Sequence, residues 1–220
     1  MKIKAVIFGA TGHVGQGVLI GCLEHPDVEK ILVIGRKSCG IQHEKLEEII
    51  HTDFKDYSAI KNQLSGYNAC YFCLGVSSIG AKEAEYRVIT VDYPLAAAET
   101  LVALNPDMTF IYVSGVGTDA TQKSNTMWKR VKGEAETRIL ALPFKQAFAF
   151  RPGIIEPRKG IKPTLAFYKW GKPLLPILKI FFSSMFTSSD KVGLAMIHAT
   201  QQGYVTHTIE NEDINVLASR

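Results

Sequence analysis

The sequence predicts an α/β protein with a doubly wound parallel sheet, and two observations support that prediction. Short apolar runs of strand length alternate with longer segments of helical periodicity along most of the chain. The first of these runs leads directly into a glycine-rich turn. Such alternation is typical of parallel strands joined by right-handed helical crossovers, with helices on both faces of the sheet. Ligands of such sheets bind at the carboxyl ends of the strands, where we expect the functional residues.

The predicted elements follow from the amino terminus. The run Ile3–Phe8 has the continuous hydrophobicity of a strand covered on both faces. Apolar residues then recur at helical spacing, at Val14, Val18, Leu19 and Leu23. Further strands are predicted at residues 31–34, 49–50, 69–74, 109–113 and 147–150, which together with the first make about six.

Composition limits the classes of function. The chain has 220 residues, of which 46% are hydrophobic and 21% charged, as expected of one large domain. The formal net charge is +4, and its lysines and arginines are scattered, so we expect no nucleic-acid partner. The first apolar run is short and ends in glycine, unlike a secretory signal, and we therefore expect a cytoplasmic location.

Neither cysteine nor histidine spacing predicts a metal site. Cys70 and Cys73 lie within one apolar run, and Cys22 and Cys39 are far from them in the sequence. We interpret the close pair as buried thiols. The six histidines have no metal-ligand spacing with each other or with cysteine. No structural metal is expected.

The turn after the first strand predicts a dinucleotide site. One glycine of such a turn permits the tight bend, another lets the backbone approach a pyrophosphate, and a third lets helix and strand pack closely. The following helix presents N–H groups and the positive end of its dipole to phosphates. The spacing is G-x-x-G-x-x-G, and a tight connection without a ligand is the alternative. The predicted cofactor-binding residues here are Gly9, Thr11, Gly12, His13, Val14 and Gly15.

Residues after the second strand favour NADP over NAD. An NAD site places an acidic residue about 20 positions beyond the glycines, on the ribose 2′-hydroxyl. Here Arg36 and Lys37 follow the strand, and no carboxylate occurs until Glu44. Two cations suit a 2′-phosphate, although a solvated basic turn is the alternative. After the third strand, Asp53 is expected to accept from the adenine amine and Phe54 to line the ring.

The sequence changes character after Arg151. Five of the nine prolines follow it, and an apolar and basic stretch covers residues 165–186. We predict a dinucleotide-binding domain at residues 1–151 and a small, mainly helical substrate-side cap at residues 152–220. Residues 173–186 could instead lie on a membrane surface, although their prolines argue against a spanning helix.

Motifs in order along the chain resemble the short-chain dehydrogenase/reductase superfamily. The chain looks most like its atypical, epimerase-like branch, which includes the Tat-interacting oxidoreductase group. The motifs are the glycine turn, the basic pair, Cys73-Leu74-Gly75, Tyr112-Val-Ser114-Gly-Val-Gly117, Lys132-Gly-Glu-Ala-Glu136 and Arg151-Pro152-Gly153.

This resemblance implies hydride transfer between a nicotinamide and a substrate carbon, assisted by a Ser, Tyr and Lys set. Ser114 would bond the substrate oxygen. Lys132 would hold the nicotinamide ribose and lower the pKa of a tyrosine four residues earlier. The cofactor would also contact Leu74 and Gly75, and at its nicotinamide end Arg151, Pro152 and Gly153.

The chain departs from this pattern at the tyrosine. Trp128 stands four residues before Lys132, and an indole N–H only donates a hydrogen bond. Two Y-x-x-x-K matches, at residues 57–61 and 168–172, do not follow the fifth strand and are interpreted as coincidence. Tyr86, Tyr93 or Tyr168 could still reach the cleft.

Two functions remain open. One is an oxidoreductase or epimerase-like enzyme on a small carbonyl or hydroxyl substrate, in which Lys132, Thr118, a cap residue or water replaces the tyrosine. The other is an NADP(H)-sensing regulatory protein in which Trp128 marks the loss of catalysis. A small molecule is the expected substrate, and the sequence indicates neither its identity nor the oligomeric state.

Overall fold

The main sheet of the computed structural model has seven parallel strands among the described residues, which are 1–158 and 183–220. Two further strands pair in a small parallel sheet. The order across the main sheet is β3-β2-β1-β4-β5-β6-β9, which confirms the predicted doubly wound α/β fold. The strands are β1 (Ile3–Phe8), β2 (Val28–Gly35), β3 (Leu46–Ile50), β4 (Ala69–Phe72), β5 (Thr109–Val113), β6 (Gln146–Arg151), β7 (Ile154–Glu156), β8 (Phe186–Ser188) and β9 (Thr208–Glu210).

Helices cover both faces of the sheet and define two cores. The helices are α1 (His13–Glu24), α2 (Glu83–Arg87), α3 (Tyr93–Leu104), α4 (Met127–Leu140), α5 (Ser189–Gln202) and α6 (Asn211–Ala218), with a π-helical turn at Val88–Asp92 and 3-10 turns at Ser58–Gln63 and Ser183–Met185. In β1, Ile7 joins α1, α5 and α6 on one face, whereas Val6 and Phe8 join α3 and α4 on the other. This alternation follows from the period of two along a strand.

Helices α1 and α5 pack closely because glycines stand where they meet. A Cβ on Gly17 would lie 2.3 Å from the Cβ of Ser189, and one on Gly193 would lie 3.1 Å from the Cα of Val18. The segment after Arg151 therefore contributes a helix against α1 as well as strand β9 beside β6. The domain division at residue 151 and the role of a substrate-side cap stay predictions.

Two sequence predictions concern residues that lie wholly or mostly outside the described ranges. Most of the segment considered for membrane-surface contact, residues 173–182, lies outside the described residues, as does Tyr168. None of the helices in the described ranges combines the length and apolar composition needed to cross a membrane.

The four cysteines are free thiols. Cys22 and Cys70 are buried and Cys73 is half-buried. Burial raises the pKa of the Cys22 thiol to about 12 and raises that of Cys70 as well, so these thiols stay protonated. Within the described ranges, no group of three His, Cys, Asp or Glu side chains is arranged to hold a metal ion.

Candidate functional site

The glycine turn joins β1 to α1 with very little space around it. Gly9 has a φ of +77°, and a Cβ there would lie 2.6 Å from the backbone nitrogen of Leu74. A Cβ on Gly15 would lie 2.2 Å from the carbonyl oxygen of Gly9. Gly12 is the N-cap residue of α1 and provides no side-chain cap. The amino end of the helix is therefore accessible to an anion.

A cleft of about 500 Å³ opens above this turn. It lies between β1 and β4, where the strand order reverses, which is the usual ligand site of an open α/β sheet. We call it the glycine-turn cleft. Of the predicted cofactor-binding residues, the structure brings together around it Gly9, Thr11, Gly12, Arg36, Lys37, Phe54, Leu74 and Gly75.

Arg36 and Lys37 provide positive charge at one wall of this cleft. Both side chains are exposed. Within residues 1–158 and 183–220, neither forms an ion pair with a carboxylate. Their charges are therefore available to an anionic ligand.

Of the two residues predicted to contact adenine, Phe54 lies in the core and Asp53 lies at the surface. Phe54 is only 2% exposed, and its ring centroid lies 6.3 Å from that of Phe8 and 5.5 Å from that of Tyr93. It still forms part of the cleft wall. Asp53 is exposed and does not line the cleft, and its carbonyl accepts a hydrogen bond from Nε2 of His51 at 2.7 Å. The contact of Asp53 with adenine stays a prediction.

At the carboxyl end of β5, two buried hydroxyls form a hydrogen-bonded pair. The oxygens of Ser114 and Thr118 lie 3.0 Å apart, and Thr118 donates to the carbonyl of Gly115 at 2.8 Å. Because the Thr118 proton is used in that bond, Ser114 donates to Thr118. Thr118 is therefore a poor replacement for the missing tyrosine, whereas Ser114 retains acceptor lone pairs for a ligand.

Lys132 extends from α4 toward the same strand end. Its Nζ donates to the carbonyl of Val113 at 3.4 Å and lies 5.5 Å from the ring centre of Tyr112. Desolvation lowers the pKa of Lys132 from 10.5 to about 8, although the negative charge of Glu136 acts in the opposite direction. Gly133 lets α4 pack closely on the loop at Asp119, because a Cβ on Gly133 would lie 1.8 Å from the Asp119 carbonyl oxygen.

Trp128 lies one turn before Lys132 on α4, against the loop that follows Ser114. A Cβ on Gly117 would lie 3.8 Å from Cη2 of the indole. Nζ of Lys129 lies 5.8 Å from the ring centre, a cation–π contact. The half-buried indole therefore forms an apolar wall beside the Ser114 loop.

The other tyrosines considered in its place have different surroundings. Tyr86 is buried, and Tyr93 packs on Phe54 at the other side of the site. Tyr57 is buried against Phe8, and burial raises its pKa well above the usual value. The tyrosine of the match at residues 57–61 is thus part of the hydrophobic core, whereas Lys61 is exposed.

Arg151 binds carboxylates of the protein itself. Its guanidinium donates to both oxygens of Glu136, at 2.9 and 2.6 Å, and to Glu210 at 2.9 Å. Glu136 is 2% exposed, and its hydrogen bonds raise the pKa of Arg151 above the usual value. Sequence reasoning placed both residues in motifs but gave Glu136 no role. The guanidinium is therefore occupied, and a backbone contact with the cofactor is what remains of the prediction for Arg151.

The segment after Arg151 is held by close backbone contacts. The Pro152 carbonyl accepts from the N–H of Val116 at 3.2 Å. Gly153 donates to Asn211 at 2.8 Å. Nε2 of His13 donates to the carbonyl of Ile155 at 2.8 Å, and Val14 packs on the core beneath it. The contacts of His13, Val14, Gly15, Pro152 and Gly153 with a cofactor stay predictions.

Comparison with known proteins decides the family. The chain is 30% identical over 157 residues to Protein FMP52-2, mitochondrial, of Scheffersomyces stipitis, which covers 70% of the chain and 67% of that protein. It is 28% identical to Protein HTATIP2 of Rattus norvegicus, over 70% of the chain and 64% of that protein. The chain belongs to the FMP52 family, and its resemblance to the short-chain dehydrogenase/reductase superfamily is confirmed. Within it, the resemblance to the Tat-interacting group is confirmed.

Solved structures share the fold of this chain. The Bordetella bronchiseptica enzyme WbmF, solved in complex with NAD+, superposes with a TM-score of 0.69 over 99% of this chain and 77% of that one, at 13% identity. No protein-family model matches the chain.

The predicted cytoplasmic location is wrong on this comparison. FMP52 relatives from Scheffersomyces stipitis and Emericella nidulans are named as mitochondrial proteins. The prediction rested on the lack of a secretory signal. That test does not bear on mitochondrial import, because transit peptides are amphipathic and arginine-rich and have no apolar core.

Proposed function

We propose that the chain binds NADP(H) in the glycine-turn cleft and transfers a hydride to or from a small carbonyl or hydroxyl substrate, as an oxidoreductase or epimerase-like enzyme. The cleft fits a dinucleotide because Gly9 and Gly12 line it beside the amino end of α1, which has no side-chain cap. Arg36 and Lys37 favour the 2′-phosphate of NADP. The bound NAD+ of WbmF supports a nicotinamide dinucleotide as the class of cofactor.

The position of Lys132 is the observation that carries the catalytic proposal. When bound, the cofactor supplies or accepts the hydride. Ser114 turns its proton from Thr118 to the substrate oxygen and so orients the substrate. Lys132, which is hydrogen-bonded to the carbonyl of Val113, gives that oxygen a proton during reduction. A lysine with a pKa of about 8 exchanges protons near neutral pH. Solvent then returns the proton to the amine, and oxidation reverses these transfers.

A turnover experiment with matched binding measurements tests this proposal. NADPH oxidation is followed across a panel of small aldehydes and ketones for the wild type, Lys132→Ala and Trp128→Tyr. We expect Lys132→Ala to lower kcat by roughly 10²-fold or more, the contribution typical of a general acid. Turnover in the wild type should fall as pH rises through about 8, since the proton donor is then lost. Wild-type activity that survives in Lys132→Ala would contradict the assignment.

A regulatory protein that senses NADP(H) is the second candidate. Trp128 favours it, because an indole cannot replace the proton exchange of a tyrosine. The hydrogen bond from Ser114 to Thr118 favours it too, since the serine proton already has a partner. Tight NADPH binding without turnover on any substrate of the panel, and without a gain in Trp128→Tyr, is the result expected of this candidate.

A further inference from the structure

The loop that carries Arg36 and Lys37 is anchored by a carboxylate from the neighbouring strand. Glu48 lies on β3, where it pairs in register with Val33 of β2. Its two oxygens accept from Oγ of Ser38 at 2.6 Å and from the N–H of Cys39 at 2.7 Å. Ser38 and Cys39 directly follow Lys37 in the sequence. One side chain therefore fixes the far end of the basic loop.

The near end of the loop is fixed by backbone contacts. The carbonyl of Gly35 accepts from the N–H of His51 at 2.9 Å. A Cβ on Gly35 would lie 3.2 Å from the carbonyl oxygen of Lys37, so the chain folds back tightly here. Arg36 and Lys37 thus lie between two anchored points. This arrangement reduces the entropy that their backbone would lose when a phosphate binds.

The hydrogen bonds also keep the Glu48 carboxylate away from a ligand. Desolvation raises its pKa, but hydrogen bonds from the N–H of Cys39 and from Ser38 outweigh this effect, so that the pKa lies below the usual value. The group is a stable anion whose two oxygens both have donors from the loop. An NAD site needs a carboxylate that is available to accept from the ribose 2′-hydroxyl. Among the described residues, Glu48 is the carboxylate that accepts hydrogen bonds from this loop, and both of its oxygens are already engaged.

We propose that Glu48 is a positioning residue for cofactor choice. Its carboxylate holds the loop of residues 36–40 so that Arg36 and Lys37 face the 2′-phosphate of NADP. The same hydrogen bonds withhold that carboxylate from the ribose 2′-hydroxyl of NAD. This inference rests on the proposed NADP(H) site and adds to it a residue that touches neither cofactor.

Calorimetric titrations of Glu48→Ala with NADPH and NADH test this role. We expect NADPH binding to weaken about tenfold and NADH binding less than about twofold, because only NADPH carries the phosphate that the loop positions. The smaller pair 2′,5′-ADP and 5′-ADP should give the same difference, since these nucleotides differ in that phosphate alone. Glu47→Ala is the matched control. This adjacent carboxylate pairs with Lys30 at 2.9 Å, and its loss should leave both affinities unchanged.

Two further variants separate the possible results. Ser38→Ala removes one of the two hydrogen bonds and should weaken NADPH binding about threefold, which tests the role even if Glu48→Ala does not fold. If Arg36→Ala leaves the ratio of NADPH affinity to NADH affinity unchanged, the assignment of the NADP(H) site itself is wrong. If Arg36→Ala lowers the ratio but Glu48→Ala and Ser38→Ala do not, only the role of Glu48 is overturned. A rise in NADPH affinity in Glu48→Ala would also overturn it, because Glu48 would then act mainly by repelling the phosphate.

Discussion

The charged side chain of Lys132 destabilises the folded protein because it is partly buried at the site. The residue is half-buried, and its ammonium lies beside Tyr112 and Val113 with one hydrogen bond at 3.4 Å. A charge placed there loses hydration that one long hydrogen bond does not restore. Such a group lowers the free energy of unfolding, but it can exchange a proton near neutral pH. The cost is measurable in the folded protein without any cofactor.

Lys132→Met should therefore stabilise the protein at pH 7, by about 1 to 3 kcal/mol. The folded-state pKa of about 8 lies below the ordinary 10.5. Between these two pH values the unfolded chain binds more protons, so wild-type stability rises with pH. The advantage of Lys132→Met should accordingly shrink between pH 8 and pH 10.5. Urea denaturation across that range measures it, and an advantage that stays constant with pH would contradict the assignment.

Among the elements, α1 shows how one helix serves both the site and the core. Its amino end faces the cleft, while Gly17, two residues after Gly15, contacts α5. A methyl group on Gly17 would lie 2.3 Å from the Cβ and Oγ of Ser189. By contrast, a methyl group on Gly21 of the same helix would have nothing within 4 Å. The two glycines provide a matched comparison.

Gly17→Ala should destabilise the protein by about 1 to 3 kcal/mol, the usual cost of overpacking. Gly21→Ala should stabilise it by about 0.5 to 1 kcal/mol, because alanine favours the helical backbone. Both values come from chemical denaturation monitored by circular dichroism. Equal effects of the two substitutions would mean that α5 does not pack tightly on α1.

The elements also show where sequence reasoning succeeds and where it stops. Continuous apolar runs such as Ile3–Phe8 identify strands because buried parallel strands are apolar on both faces. Strand β9 (Thr208–Glu210) has only one apolar residue, Ile209, and leaves no such signal. The glycine turn and the basic pair were predicted from spacing. The contact of Glu48 with Ser38 could not be predicted in this way. It depends on β3 lying beside β2, and the sequence alone does not show which side chains two neighbouring strands bring together.

Across the whole molecule, the ion pair of Arg151 and Glu136 joins parts that are distant in sequence. Arg151 ends β6, Glu136 belongs to α4, and Glu210 ends β9 at the start of α6. Removing one partner of a buried pair leaves an uncompensated charge, which costs about 3 to 5 kcal/mol. A half-exposed partner is worth about 1 kcal/mol or less. The two glutamates should therefore differ sharply in their contribution.

Glu136→Gln is expected to lower the free energy of unfolding by about 3 kcal/mol, and Glu210→Gln by less than about 1 kcal/mol. The first substitution should also affect the site. The charge of Glu136 raises the pKa of Lys132, against the larger effect of desolvation, so its loss should move that pKa further below 8. A pH profile of turnover would then shift toward acid in Glu136→Gln but not in Glu210→Gln. Loss of stability without this shift would show that the ion pair contributes only to the stability of the fold, and that burial alone sets the pKa of Lys132.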